Sequence, residues 1–198
     1  MAEPEDRFYT RERWQNWLTR VEEEDIDPEN EDSARLLLNL QDDAAIAVAK
    51  ILSAYEEAEL SEDETVEELE RVRDIVLEEP ELENADEEKL MLIDGVQTSL
   101  VCVFYSAEEY VVAGPAEPED DASIEDYVRA AAQAEADEDL DAALGYLVQA
   151  GTRIIDGEEL DMTVAEDLEY GLVSEWVNGL DSLQSAMSDP EVIEDDES

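Results

Sequence analysis

The chain has 198 residues, 43% of them hydrophobic, and its 60 Asp+Glu against 11 Lys+Arg give a formal net charge of -49. This length supports one sizeable core or two small helical units sharing one, and apolar residues at helical spacing nearly throughout exclude a disordered acidic chain. The absence of histidine removes Ser-His-Asp and Cys-His nucleophile arrangements and most zinc sites, and the lone Cys102 allows no intramolecular disulfide.

In dilute buffer such a charge works against any compact state, whereas molar salt shortens the Debye length to about 3 Å and removes most of the repulsion. With only Lys50 and Lys89 as lysines, the composition points to the salt-rich cytoplasm of a halophilic archaeon and to a requirement for monovalent salt. A Lys/Arg patch able to neutralise phosphates is missing, which argues against direct nucleic-acid binding. Neither a signal peptide nor a membrane span is expected, so the predicted location is cytoplasmic.

Met1 to Asp6 is read as a polar arm. Thr10 is placed to cap a first helix running to about Glu24, with Trp14, Trp17, Leu18 and Val21 on one face. Phe8, Tyr9, Arg13, Trp14 and Trp17 form a candidate interaction surface, because aromatic and Arg enrichment marks interface hot spots; docking of the tryptophans on the bundle is the plainer alternative. The acidic linker from Asp25 lacks the Gly and Glu of a calcium loop, its sixth and twelfth positions being Asn30 and Leu36. A second helix is predicted over Asp32 to Glu59, with Asp42-Asp43 read as a solvated pair. Ser61 to Glu64 is a capping box opening a third helix, which Glu78-Glu79-Pro80 ends.

The helix from Leu90 to Ala113 is the expected centre of the fold. Ile93, Val96, Leu100, Val103, Ala107 and Tyr110 form an apolar stripe, and Gly95, Ser99, Cys102 and Ser106 form a line of small residues that another helix could approach closely. Asp94 is the candidate buried structural acid of this helix. A carboxylate there needs a cation, donors or a proton, and Arg35, Arg71 and Arg73 are the partners considered. Gly114-Pro115 closes the helix.

Residues 116–122 read as a linker between an N-terminal bundle, 1–115, and a C-terminal helical subdomain, 123–187, packed upon it. Ser123 opens an Ala-rich helical hairpin continuing to Ile155, which matches a tetratricopeptide unit only weakly. Thr163 is taken to cap a last helix through Leu168, Trp176 and Met187. Residues 188–198 are read as an acidic disordered tail. The fold class is therefore all-α, with about seven helices around a central buried one.

The residues Phe8-Tyr9-Thr10, Arg13 to Trp17, Leu36 to Asp43 and Ile93 to Cys102 give the chain a resemblance. It resembles an uncharacterised family of haloarchaeal proteins catalogued as a domain of unknown function, over about residues 7 to 115. The resemblance implies a halophilic host and a helical protein, and carries over no activity, cofactor or catalytic residue.

No glycine-rich phosphate cradle is present. The carboxylate doublets Glu56-Glu57, Glu67-Glu68 and Glu108-Glu109 leave magnesium-dependent hydrolysis as the remaining catalytic route. The sequence instead favours a non-catalytic interaction or adaptor protein without cofactor, its partner a protein of unknown identity or a second copy. An acidic antagonist of a basic nucleic-acid-binding protein is the alternative, and a carboxylate-site hydrolase the third reading.

Overall fold

The computed structural model describes residues 8–27, 29–84, 86–117 and 121–188. The expected N-terminal arm and acidic tail, apart from Ser188, lie outside these residues, as does part of the 116–122 linker. Among the described residues the chain forms eight helices and no strand: α1 Arg11–Glu23, α2 Glu31–Glu56, α3 Glu62–Leu77, α4 Glu87–Ala113, α5 Ile124–Ala136, α6 Leu140–Ile155, α7 Thr163–Glu166 and α8 Leu172–Ser188.

Local chemistry fixes most boundaries. Thr10 accepts from the Arg13 amide at 3.0 Å to start α1, and Ser61/Glu64 and Ser123/Asp126 form the capping boxes of α3 and α5. Gly114, at φ 77, ends α4 in a conformation that a side chain would strain. Ala58, at φ 58, terminates α2 three residues before the expected end.

The last helix differs from the expectation. Thr163 does not cap a continuous helix; α7 is a single turn without a side-chain cap, and α8 starts afresh at Leu172. The interruption has a partner on α5. Glu135 reaches the Val173 amide through Oε1 at 3.3 Å, and a Cβ at Gly171 would come within 2.5 Å of the same oxygen. A carboxylate at a helix N-terminus meets the positive end of the helix dipole and otherwise unbonded amides.

Helix α4 packs against α2, α3, α6 and α8, and one continuous core runs from Tyr9 to Leu183. The line of small residues works as its spacing suggests. A Cβ on Gly179 of α8 would lie 2.0 Å from the Ser99 carbonyl oxygen, and one on Gly151 of α6 would lie 2.0 Å from Ser106 Oγ. The serine hydroxyls stay satisfied by donating to carbonyls four residues back, Ser99 to Gly95 at 2.9 Å and Ser106 to Cys102 at 2.7 Å.

One side of α4 is not jacketed. Met91, Asp94, Tyr105, Glu109 and Val112 are exposed, with Thr98 and Val101 half-buried between them. By length and composition alone this helix could cross a membrane, with a mean hydropathy of 1.5 over an 18-residue window of which half is buried in the bundle. The buried half accounts for itself by packing; the rest is a mixed face open to solvent, where Met91, Tyr105 and Val112 alternate with Asp94 and Glu109.

These contacts separate two glycine substitutions. Gly179→Ala is expected to lower stability by about 3 kcal/mol, the upper end for forced overpacking, because the obstacle is backbone. Gly145→Ala, on α6 with nothing within 4 Å of the added atom, is expected to raise it by about 0.5 to 1 kcal/mol. Thermal melts of both variants in molar KCl check the pair.

Candidate functional site

The aromatic and Arg residues of the N-terminal segment converge on one acid from α2. Asp43, only 4% exposed, accepts from Arg13 Nε at 2.8 Å and from Arg13 Nη2, and its Oδ2 also accepts from Trp17 Nε1 at 2.8 Å. Arg13 and Trp17 can share this acceptor because residues four apart lie on one helix face. The fork of the guanidinium holds both carboxylate oxygens, which fixes orientation as well as charge.

Tyr9 and Trp14 lie beneath this node, 2% and 3% exposed. Burial first, then the Asp43 carboxylate, pushes the Tyr9 phenol far above its ordinary pKa. Its hydroxyl and Trp14 Nε1 complete no hydrogen bond of normal geometry among the described residues. Of the five residues proposed as an interaction surface, Tyr9 and Trp14 are thus core; Phe8 and Trp17 are half-buried and Arg13 is exposed. The group docks α1 on α2. Arg71 Nη2 adds a bond to the Tyr9 carbonyl at 2.9 Å, and Lys89 Nζ binds the Glu22 and Glu24 carbonyls at 2.7 Å each.

Two sequence expectations are corrected here. Asp43 is not solvated as the Asp42-Asp43 doublet suggests; it is buried. Asp94, taken as the buried acid, is exposed on the bare face of α4. Two of its candidate partners are engaged elsewhere, Arg71 with Glu68 and Arg73 with Glu108, and Arg35 lines a cleft by α1 and α2. The signal for Asp43 was present in its register: it falls three residues after Leu40 and four before Ala47, on the buried stripe of α2.

Other acids are tied singly. Glu56 accepts from Tyr110 at 3.1 Å, Glu68 meets Arg71, and Glu108 meets Arg73. Among the described residues no three Asp, Glu or Cys side chains gather as metal ligands. Asp42 of α2 and Asp181 of α8 are half-buried near each other, and both carboxyls are raised above their ordinary pKa, chiefly by desolvation. Burial pushes the Cys102 thiol up to about 12, so it is an unreactive core group.

Two surface clefts are lined by described residues. One, about 300 Å³, sets Arg20 and Arg35 against Glu24, Asp25 and Asp32. The other, about 430 Å³, sets Arg129 against Glu125, Asp161, Glu166 and Asp167. The first is close to balanced, three acids against two arginines, whereas the second is net acidic, four carboxylates against one arginine. The cations are mostly engaged internally: besides those named, Arg11 meets Glu78, and Arg153 holds Glu158 at 2.7 Å and the Ala122 carbonyl at 2.7 Å.

A family model described as "Uncharacterized protein conserved in archaea" (DUF2150) matches residues 7–196. The chain belongs to this family. Membership thus extends well beyond the 7 to 115 stretch whose residues carried the resemblance, and the description places the family in archaea at large. No curated protein and no solved structure matches the chain.

Two outcomes follow from these placements. Asp43→Ala is expected to cost about 2 to 3 kcal/mol, since it leaves a guanidinium and an indole N–H without their acceptor, and to shift the Trp17 fluorescence. Asp94→Asn should stay within about 0.5 kcal/mol of the wild type, as exposed substitutions do. Denaturant melts followed by tryptophan emission distinguish them.

A further outcome concerns pH. A carboxyl whose folded pKa is raised is bound by a proton more tightly in the folded state, so it favours folding less and less as pH rises from the ordinary Asp range through the raised value. Asp42→Asn and Asp181→Asn should therefore each raise the melting temperature at neutral pH. The gain should close as pH falls into the ordinary Asp range, which melts over a pH series would record.

Proposed function

We propose that this protein is a non-catalytic association module of a salt-rich archaeal cytoplasm, and that its working surface is the bare face of α4. The observation that carries the reading is local: a chain of net charge -49 leaves Met91, Tyr105 and Val112 at 75%, 42% and 63% exposure on its most apolar helix. Exposed apolar groups aligned along one helix, in a surface otherwise rich in carboxylates, mark a contact site rather than a solubility feature. The docking of Tyr9 and Trp14 moves this surface away from the N-terminal segment.

The distribution of charge supports the salt-rich setting over the acidic-antagonist reading. An antagonist would gather its acids on one face. Exposed carboxylates occur on every helix from α1 to α7, among them Glu12, Asp32, Glu70, Asp126 and Asp141. Acids all round act as a solubility coat, with salt screening their mutual repulsion. The carboxylate doublets considered for hydrolysis have one member each held by Arg or Tyr, which supports a structural role for them.

Gel filtration of host lysate in molar KCl tests the association reading. Wild-type protein should elute in a species larger than the monomer, and Tyr105→Glu should elute as the monomer. Monomeric elution of the wild type refutes the association reading; an unchanged profile for Tyr105→Glu refutes the α4 surface.

A further inference from the structure

Arginine is scarce in this chain, where 60 Asp+Glu stand against 11 Lys+Arg, and its pairing is selective. Among the described residues Arg11, Arg13, Arg71, Arg73, Arg129 and Arg153 each meet a carboxylate. Arg20 and Arg35 meet none, and both line the cleft of about 300 Å³ beside α1 and the start of α2. We propose that this cleft binds a free basic amino acid, its carboxylate held by Arg20 and Arg35 and its two cationic groups by Glu24, Asp25 and Asp32.

Arg20 is steadied without being used up. Its Cζ lies 4.7 Å from the centroid of the Trp17 ring, so the guanidinium rests on the indole while its N–H groups make no hydrogen bond among the described residues. Trp17 is fixed in turn by its bond to Asp43. Arg35 is exposed and equally unbonded. In the same cleft the exposed carboxylates of Glu24, Asp25 and Asp32 join neither guanidinium and accept from no described side chain. Both signs of charge therefore share one cleft without neutralising each other.

That arrangement selects a ligand carrying both signs. A bare anion such as phosphate would face three carboxylates and approach against a net charge of -49, whereas a bare diamine would leave two guanidiniums without an acceptor. One carboxylate is in excess over the arginines, so a ligand with one carboxylate and two cationic groups brings the cleft to neutrality. Ile26 and Leu36 also line it and give the methylene stem of such a ligand an apolar surface. Size points the same way: ligand sites run from roughly 300 to 1,000 Å³, and a cleft at the small end suits one amino acid rather than a folded partner. Because the charges are exposed, molar salt screens them, and a millimolar dissociation constant that falls as KCl is lowered is the expected strength.

Equilibrium dialysis of the purified full chain against labelled L-lysine in molar KCl decides the matter. Expected is saturable binding of L-lysine, with cadaverine, the same stem without the carboxylate, and inorganic phosphate each competing at least about tenfold more weakly, as loss of a charge-assisted hydrogen bond dictates. Arg20→Gln and Arg35→Gln should each raise the L-lysine dissociation constant by about the same factor, and Arg129→Gln, at the other cleft, should leave it unchanged. Far-UV ellipticity verifies folding. If Arg20→Gln disturbs the docking of α1 through Trp17, Asp32→Asn, at an exposed position, replaces it and should weaken L-lysine while strengthening phosphate.

Absence of saturable L-lysine binding in the millimolar range overturns the proposal. So does cadaverine or phosphate competing as well as L-lysine itself, since the cleft would then read one sign of charge alone. L-lysine binding indifferent to both arginine variants places the ligand elsewhere on the acid coat and overturns it as well.

Discussion

Close contact at Ser99, through its backbone, and at Ser106, through its side chain, is the constraint on which the bundle depends. Helix axes ordinarily lie 8–10 Å apart, by an amount set by the side chains between them, and α6 and α8 approach α4 at glycines that leave no room for a methyl group. Seating two helices on one line of small residues leaves the opposite flank of α4 to α2 and α3. Four neighbours placed this way do not complete a ring. The side of α4 from Met91 to Val112 stays open because the small-residue line draws α6 and α8 away from it.

The same geometry explains why so few polar groups are needed inside. Ser99, Ser106 and Thr152 each donate to a carbonyl of their own helix, so burying them costs little. Gln41 reaches across to Ser182 Oγ at 2.9 Å and the Asn178 carbonyl at 3.2 Å, linking α2 to α8 where both helices also present half-buried carboxyls. Asp43 apart, no Asp or Glu among the described residues is fully buried. That segregation lets a chain so rich in carboxylates retain a continuous core.

Much of this was legible in the sequence. The 3.6-residue period marked seven of the eight helices, the capping residues Thr10, Ser61 and Ser123 marked their starts, and Gly114 marked the end of α4. The small-residue line on α4 showed where close packing would occur. Burial of individual acids was harder to read. Asp94 sits in the least charged stretch and looked buried from composition, yet the helical register turns it outward beside Met91 and Val101. Asp43 sits beside another acid and looked solvated, yet its register points it inward at Arg13 and Trp17. Neighbouring residues describe the chain, while burial depends on the face, and the face that neighbours would cover is known only when the helices are packed. The break before α8 was illegible for a related reason: Glu135, which occupies the start of that helix, lies on α5.

The placement of the cations completes the argument. Arg11, Arg13, Arg71 and Lys89 link α1 or the segment before it to α2, α3 and the start of α4, and they are not equivalent. The Arg11 pair with Glu78 is exposed on both sides, and molar salt screens such a pair to near nothing. The Asp43 end of the Arg13 pair is buried, so ions reach it poorly and its geometry stays fixed by three donor bonds. In the salt that the acid coat calls for, α1 is thus held by Trp14, Leu18 and Val21 in the core and by one carboxylate from α2. The N-terminal segment is then a fixed part of the bundle, while one face of α4 stays uncovered.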